Sequence, residues 1–346
     1  MMWSHPDFDD HEAVHFFTDR ESGLRAIIAV HSTHRGPSSG GVRFWRYARD
    51  EDALTDALRL SRGMSYKNAM AGLPIGGGKG VILSDGTPKT RAQLVAFGKA
   101  IDSLGGRYVT AEDVGMSEAD MSAIALGTGH VSGLPVASGA AGGNPGPSTA
   151  LGVYLGVKAA VAEGLGCDAL AGVHVAIQGV GSVGGGLARR LAADGARLTL
   201  ADVDTARARA LADELGAEVV DSRAIMTIEA DVLSPNALGA ILDEQSIARL
   251  AVPIVAGGAN NQIATAADAD RLHARGILYA PDYVINAGGI INVALEYLGQ
   301  GDRAEVEARV GEIPGRLRAI WAQSKSADRP AARVADDMAR ALIGRD

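Results

Sequence analysis

The sequence predicts an α/β protein of two domains, the second built on a Rossmann-type, doubly wound parallel sheet. Three observations carry this. The chain has 346 residues, a length for about two domains. Its second half alternates short β-branched runs with helical stretches, the pattern of parallel strands joined by crossover helices. Between one such run and the next helix lies Gly179-Val180-Gly181-Ser182-Val183-Gly184. Hydrophobic residues, at 47%, suffice for sizeable cores, while a net charge of −8 argues against a general nucleic-acid binder. One cysteine, Cys167, permits no internal disulfide and fits a reducing compartment. No basic stretch followed by an apolar core opens the chain, and no apolar run reaches membrane-spanning length. A soluble cytoplasmic protein is expected.

Taken in order, residues 24–31 read as a strand, a Gly/Pro/Ser-rich loop follows, and residues 40–45 resume extended structure. Ala53, Leu54, Ala57, Leu58 and Leu60 recur at helical spacing and predict a helix over about 51–71. Pro74 and the run Gly76-Gly77-Gly78 are expected to form a tight loop, after which Lys79 leads into a strand at 81–83. Thr90 caps a helix that Gly105-Gly106 ends, residues 107–114 form a short strand finishing on acids, and Ser117-x-x-Asp120 is a capping box. Residues 132–148, with Pro135, Pro145 and Pro147, are the expected connector and hinge. Helices at 148–164, 183–194 and 205–215 then alternate with strands at 173–177, 197–201, 230–233, 253–256 and 277–280. The tail from 316 onward reads as helix returning to the first domain. The expected division is therefore 1–138 plus 325–346 as an α/β substrate and oligomerisation domain and 139–324 as the dinucleotide domain, with a cleft between them.

The chemistry concentrates in 64–83. Lys67 sits late in the helix, and Lys79 lies among glycines and apolar residues. Burial disfavours an ammonium and lowers its pKa, and a second cation lowers it further. A lysine so tuned acts as a base near neutral pH. A solvated loop lysine is the ordinary alternative. A phosphate loop is excluded, because Leu73 stands where the first glycine belongs and no Ser or Thr follows Lys79. Asp113, at the end of its strand, is a candidate for proton exchange; loop bracing is the alternative, and Glu112 competes.

The glycine run follows a strand, opens a helix, and is followed about 20 residues on by Asp202 at the end of the next strand, the context of a dinucleotide site. An acid there hydrogen-bonds ribose hydroxyls and repels a 2′-phosphate, favouring NAD over NADP; Arg207 and Arg209 keep NADP open. Asn260 and Asn261 follow a parallel strand, where doubly wound sheets bind ligands, although turn chemistry also favours asparagine. In 286–293, Ile290 and Val293 offer an apolar wall beside Gly288-Gly289, a pair that equally suits a plain helix start. The histidines show neither metal-ligand spacing nor a Ser-His-Asp arrangement.

Over nearly its whole length the chain resembles the glutamate, leucine, phenylalanine and valine dehydrogenases. The carriers are Gly40-Gly41-Val42-Arg43-Phe44, Met64-Ser65-Tyr66-Lys67-Asn68, Gly76-Gly77-Gly78-Lys79, Thr110-Ala111-Glu112-Asp113, the glycine fingerprint, Ala259-Asn260-Asn261-Gln262 and residues 280–289. The resemblance implies reversible oxidative deamination of an L-amino acid to a 2-oxo acid and ammonia, with hydride passing to NAD. It implies that Lys67 binds the substrate carboxylate, that Lys79 activates water and stabilises charge, and that Asp113 exchanges protons with the substrate nitrogen. Thr149, Asn260 and Asn261 match positions around nicotinamide and substrate; Gly40, Met64, Ile290 and Val293 match the substrate pocket. Glutamate enzymes carry a pocket lysine where Ser39 stands here, so an apolar substrate is expected: leucine, valine or isoleucine, with phenylalanine second. A non-catalytic dinucleotide-binding regulator is the reading from another class. The chain departs from its relatives at Ser39, at Asn236, often cysteine, and at Gly258, an alanine. The resemblance also implies a homo-oligomer, dimer or higher.

Overall fold

The computed structural model describes residues 2–135, 140–299 and 301–345. Residues 136–139, the middle of the expected connector together with the expected 138/139 boundary, lie outside the described residues. The chain divides into two compact units. Unit 1 comprises Met1–Asn144, Ile290–Ala304 and Ala339–Asp346; unit 2 comprises Pro145–Gly289 and Glu305–Met338. Among the described residues no helix is long and apolar enough to cross a membrane.

Unit 1 is built on a five-stranded sheet of β1 (Ala13–Asp19), β2 (Leu24–Ser32), β3 (Ser38–Trp45), β4 (Gly76–Leu83) and β5 (Tyr108–Glu112), in the order β1-β2-β4-β3-β5. β2 pairs antiparallel with β1 and β4, while β3 runs parallel to both β4 and β5. Helix α1 (Asp50–Met70) covers one face, where Ile27, Ala29 and Val81 pack on Ala53 and Ala57. Helices α2 (Arg91–Asp102) and α3 (Glu118–Ile124) supply Leu94, Phe97, Ile101, Met121 and Ile124 to a second core, with Ala26, Ile28, Ile82 and Tyr108 from the sheet. Successive side chains of a strand point to opposite faces. Lys79 therefore shares the α1 face with Val81, and Arg43, next to core-facing Val42, shares it too.

The run Gly76-Gly77-Gly78 is not the expected loop; it is the first half of β4. A Cβ at Gly77 would stand 2.0 Å from the Ser65 backbone nitrogen, and one at Gly78 2.8 Å from the Tyr108 ring. The glycines are there so that helix and neighbouring strands can close on β4. The turn is made earlier, around Gly72 at φ 70°. β1, which sequence patterning missed, is one of the sheet's two edge strands; most of its residues are neither buried nor fully exposed, so no clean alternation marks it.

Unit 2 is a doubly wound, wholly parallel sheet of β6 (His174–Gln178), β7 (Arg197–Ala201), β8 (Glu218–Val219), β9 (Val232–Pro235), β10 (Ile254–Val255) and β11 (Leu278–Tyr279). The order β11-β10-β9-β6-β7-β8 reverses direction between β6 and β9, the switch point at which such sheets take ligands. Its helices include α4 (Gly146–Leu165), α5 (Ser182–Ala193), α6 (Thr205–Leu215), α7 (Glu244–Arg249), α8 (Ala266–Ala274) and α9 (Asp282–Ile285). Then come α10 (Gly288–Tyr297), α11 (Arg303–Val310), α12 (Ile313–Ala327) and α13 (Ala331–Leu342).

Two segments group otherwise than expected. Residues 290–304 belong with unit 1: the Glu296 carboxylate accepts from the Gly133 and Leu134 amides, Asn292 exchanges two hydrogen bonds with the Gly142 backbone, and Tyr297 meets His130. Residues 325–338 belong with unit 2, where Asp336 accepts from the Tyr283 hydroxyl and Arg333 pairs with Asp270. Of the tail, only 339–346 returns to unit 1.

Candidate active site

Lys79 stands mid-strand in β4 opposite Ala29, 5% exposed beneath α1. Its ammonium donates to Asp113 Oδ2 at 2.5 Å. Asp113 follows β5 at the turn through Gly115, whose φ of 80° suits glycine. A second cation joins the pair, and it is neither lysine singled out above: Arg43 of β3 reaches the same Oδ2 with Nε at 3.4 Å. Burial drives the Lys79 pKa down; Asp113 opposes that and Arg43 adds to it, so the net direction is down. Burial pushes the Asp113 carboxyl up, but Lys79 and Arg43 more than undo it and hold it below the ordinary range. Glu112 is exposed, with its carboxyl raised by partial burial and by Glu118 and Asp120, and takes no part in the ion pair.

The remaining unit 1 candidates lie on α1, β3 and α10. Lys67 occupies the last turn of α1, half-buried, and Met64 lies one turn earlier. Gly40 is buried in β3, where a Cβ would collide with the Gly78 carbonyl at 1.9 Å and approach Met64 Cγ at 3.1 Å. Ser39 is buried beside it. On α10, Val293 is buried and Ile290 half-buried, and both belong to unit 1.

In unit 2 the glycine fingerprint joins β6 to α5 with Gly179 at φ 85°. Gly184 has no room for a side chain, since its Cβ would lie 1.9 Å from the Gly179 carbonyl. Gly181 is different: a Cβ there meets nothing, and no side chain caps the start of α5. Backbone can thus be approached closely at a helix N-terminus, which suits a pyrophosphate. The Asp202 carboxylate, at the end of β7, accepts from the Val180 amide at 2.8 Å and the Asp204 amide at 2.9 Å, fixing it beside the loop. Ser182 is exposed and Val183 half-buried on the first turn of α5. These residues fit a dinucleotide.

Around the switch point, Thr149 Oγ1 donates to the Pro145 carbonyl and lies 2.6 Å from where a Cβ on Gly289 would stand. Asn260 and Asn261 are exposed after β10, Asn261 at a φ of 52°. Asn286 donates to Asn260 Oδ1 at 2.8 Å and to the Gly258 carbonyl at 3.1 Å. The departures at 236 and 258 prove to be neighbours: Asn236 Oδ1 accepts from the Gly258 amide, and an alanine Cβ at 258 would come within 2.9 Å of that oxygen. The asparagine and the missing methyl go together.

Comparison with known proteins agrees with this geometry. Residues 11–129 match the family described as "Glu/Leu/Phe/Val dehydrogenase, dimerisation domain", and residues 199–335 the one described as "Glutamate/Leucine/Phenylalanine/Valine dehydrogenase". The chain is 46% identical over 335 residues to a leucine dehydrogenase of Geobacillus stearothermophilus, covering 96% of this chain and 91% of the relative. It is 43% identical over 340 residues to a valine dehydrogenase of Streptomyces virginiae, covering 97% and 94%. The crystal structure of L-tryptophan dehydrogenase from Nostoc punctiforme superposes with a TM-score of 0.87 at 40% identity, over 97% of this chain and 96% of that one. With both family descriptions matched, relatives aligned nearly end to end, and a lysine–aspartate pair in one unit and a dinucleotide fold in the other, the chain belongs to the Glu/Leu/Phe/Val dehydrogenase family of amino acid oxidoreductases.

Proposed function

We propose that the protein catalyses the NAD-dependent, reversible oxidative deamination of a branched-chain L-amino acid, leucine, valine or isoleucine, to its 2-oxo acid and ammonia. The observation that carries this reading is the ion pair of buried Lys79 with half-buried Asp113, two groups able to hold and pass a proton, one of them reachable from solvent. In balance, amino acid, water and oxidised dinucleotide give 2-oxo acid, ammonium ion, reduced dinucleotide and one proton. When bound, the nicotinamide supplies the acceptor for the α-hydrogen as hydride.

The chain's own residues do the rest. Lys67 would fix the substrate carboxylate. Lys79, with its lowered pKa, would take a proton from the attacking water and, as ammonium, steady the oxygen that becomes the oxo group. Asp113 would exchange protons with the substrate nitrogen. Gly179 to Gly184 would hold the pyrophosphate and Asp202 the ribose, which supports NAD over NADP. Thr149, Asn260 and Asn261 would border the nicotinamide and substrate.

Gly40, Met64, Ile290 and Val293 would face the substrate side chain. None is cationic, and a buried unpaired carboxylate costs several kcal/mol, about 3–5, so glutamate is disfavoured. The relatives named leucine and valine dehydrogenases support the branched-chain reading. An aromatic substrate is the second reading, favoured by the likeness to the tryptophan enzyme and by the small Ser39. We also infer a cytoplasmic homo-oligomer, from the single cysteine and the dimerisation-domain match at 11–129.

A panel of L-amino acids followed at the NADH absorbance, with NAD and NADP in parallel, tests this. Leucine, valine and isoleucine with NAD are expected to give the highest kcat/KM; phenylalanine or tryptophan matching them would install the aromatic reading. Asp202→Ala is expected to relax the preference for NAD. An unchanged NAD/NADP ratio would remove Asp202 from the cofactor site.

A further inference from the structure

We propose that Arg43 is a positioning residue of the active site, a guanidinium that braces Asp113 against Asp56 and sets the pH range over which Lys79 and Asp113 work. This rests on reading Lys79 and Asp113 as the acid–base pair. Arg43 spans two carboxylates at once: Nη1 donates to Asp56 Oδ2 at 2.7 Å, and Nε reaches Asp113 Oδ2 at 3.4 Å. The Tyr47 hydroxyl donates to the same Asp56 oxygen at 2.7 Å, which pins the outer end of the brace to α1. A planar fork with several fixed N–H directions is well suited to bridging two carboxylates in this way. The series Lys79–Asp113–Arg43–Asp56–Tyr47 thus draws on β4, the end of β5, β3, α1 and the segment after β3. Tyr108 of β5, a further titratable group that senses the Asp113 charge, sits on the opposite face of the sheet in the core with α2 and α3, where its hydroxyl donates to the Gly40 carbonyl.

The electrostatic consequence has a definite sign. A cation favours loss of a proton from any neighbour, so Arg43 lowers the pKa of both Asp113 and Lys79. Removing it raises both, whichever of the two governs a given limb of the pH–rate profile. The whole profile then moves to higher pH. Asp56 acts oppositely, since its negative charge favours the Lys79 ammonium. Replacing it with a neutral isostere moves a Lys79-governed limb to lower pH. A side chain that merely filled space would shift neither.

The experiment is the pH dependence of kcat/KM for the parent enzyme, Arg43→Met, Arg43→Lys and Asp56→Asn, each checked for folding by circular dichroism. Arg43→Met is expected to move the limbs up by about one unit, Asp56→Asn to move them down, and Arg43→Lys to keep them near the parent while kcat falls about tenfold. If Arg43→Met does not fold, Asp56→Asn and Arg43→Lys carry the test. Carboxyl carbon NMR of Asp113, assigned by Asp113→Asn, reads the Arg43 effect without turnover. A parent that turns over no amino acid would remove the functional reading while the NMR titration still judged the brace. Profiles and Asp113 titrations that superimpose on the parent in the variants that fold would overturn the inference.

Discussion

Two clusters of ionisable groups lie under the same helix, α1, on the same face of the unit 1 sheet, and they differ in how burial treats their titratable groups. The first is Lys79–Asp113–Arg43–Asp56, charged and held together by ion pairs. The second gathers Asp9, His11, His31, Ser61 and Ser65 at the other side of β4, where the β2–β4 register shifts between Val30 and Ser32. Here His31 Nδ1 meets Ser65 Oγ at 2.7 Å and Nε2 lies 3.2 Å from Asp9 Oδ2, the connectivity of a hydrolase triad that sequence spacing gave no hint of. Yet Ser65 and His31 are fully buried, and Arg345 donates to His31 Nε2 at 2.6 Å. With that nitrogen accepting, the ring is neutral and its one proton faces Ser65. Burial, together with the Arg345 charge, lowers the His11 pKa to about 4, and burial lowers His31 as well. The difference teaches that burial of titratable groups does not make an active site. One cluster centres on the lysine–aspartate pair to which the proposed chemistry is assigned; the other is a clasp in which neutral histidines, with Asp9, hold Arg340 and Arg345 of the chain's last segment to the sheet.

The largest effect that would break this comparison is on turnover. Asp113→Asn, which keeps the shape and a partner for Lys79, is expected to lower kcat by about 10²–10⁴-fold, the range for a lost general acid or base. A fall of less than threefold would make the aspartate a mere brace.

The clasp is expected to show itself in stability instead. Its histidines stay neutral when folded but take up protons near pH 6.5 when unfolded, so the unfolded chain binds more protons between the two values. Stability is therefore complete above about pH 6.5 and is lost as pH falls toward 4. His11 alone accounts for up to about 3 kcal/mol of that loss. Denaturant unfolding at pH 7.5 and pH 5 measures it. Arg345→Ala, which frees His31 Nε2 to take a proton, is expected to make the pH 5 loss smaller, and equal stability at both pH values in the parent would contradict neutral histidines in the clasp.

How much of this the sequence displays depends on where the physical signal sits. The β6–α5–β7 unit is legible because the glycine spacing, the strand before it and Asp202 after it are all local. Lys79 stands out because a cation among glycines and aliphatics is unusual. Its strand is misread, because glycine marks turns unless something packs on it, and what packs on Gly77 is Ser65, on a different element. Arg43 passes as an ordinary strand residue until β3 is seen lying between β4 and β5. The His31 cluster is still less legible: its members come from residues 9 to 345, and only the fold brings them together. For the same reason residues 290–304 look like a continuation of the dinucleotide domain until Glu296 and Asn292 are seen bonded to 133, 134 and 142.

The most direct test sets one residue from each cluster side by side: kcat for Lys79→Ala and Ser65→Ala, with dinucleotide binding measured by calorimetry. Loss of turnover in the first with binding retained, and turnover within about threefold of the parent in the second, is the expected result. Turnover that survives the loss of Lys79, or that vanishes with Ser65 while the protein remains folded, would put the chemistry in the wrong cluster.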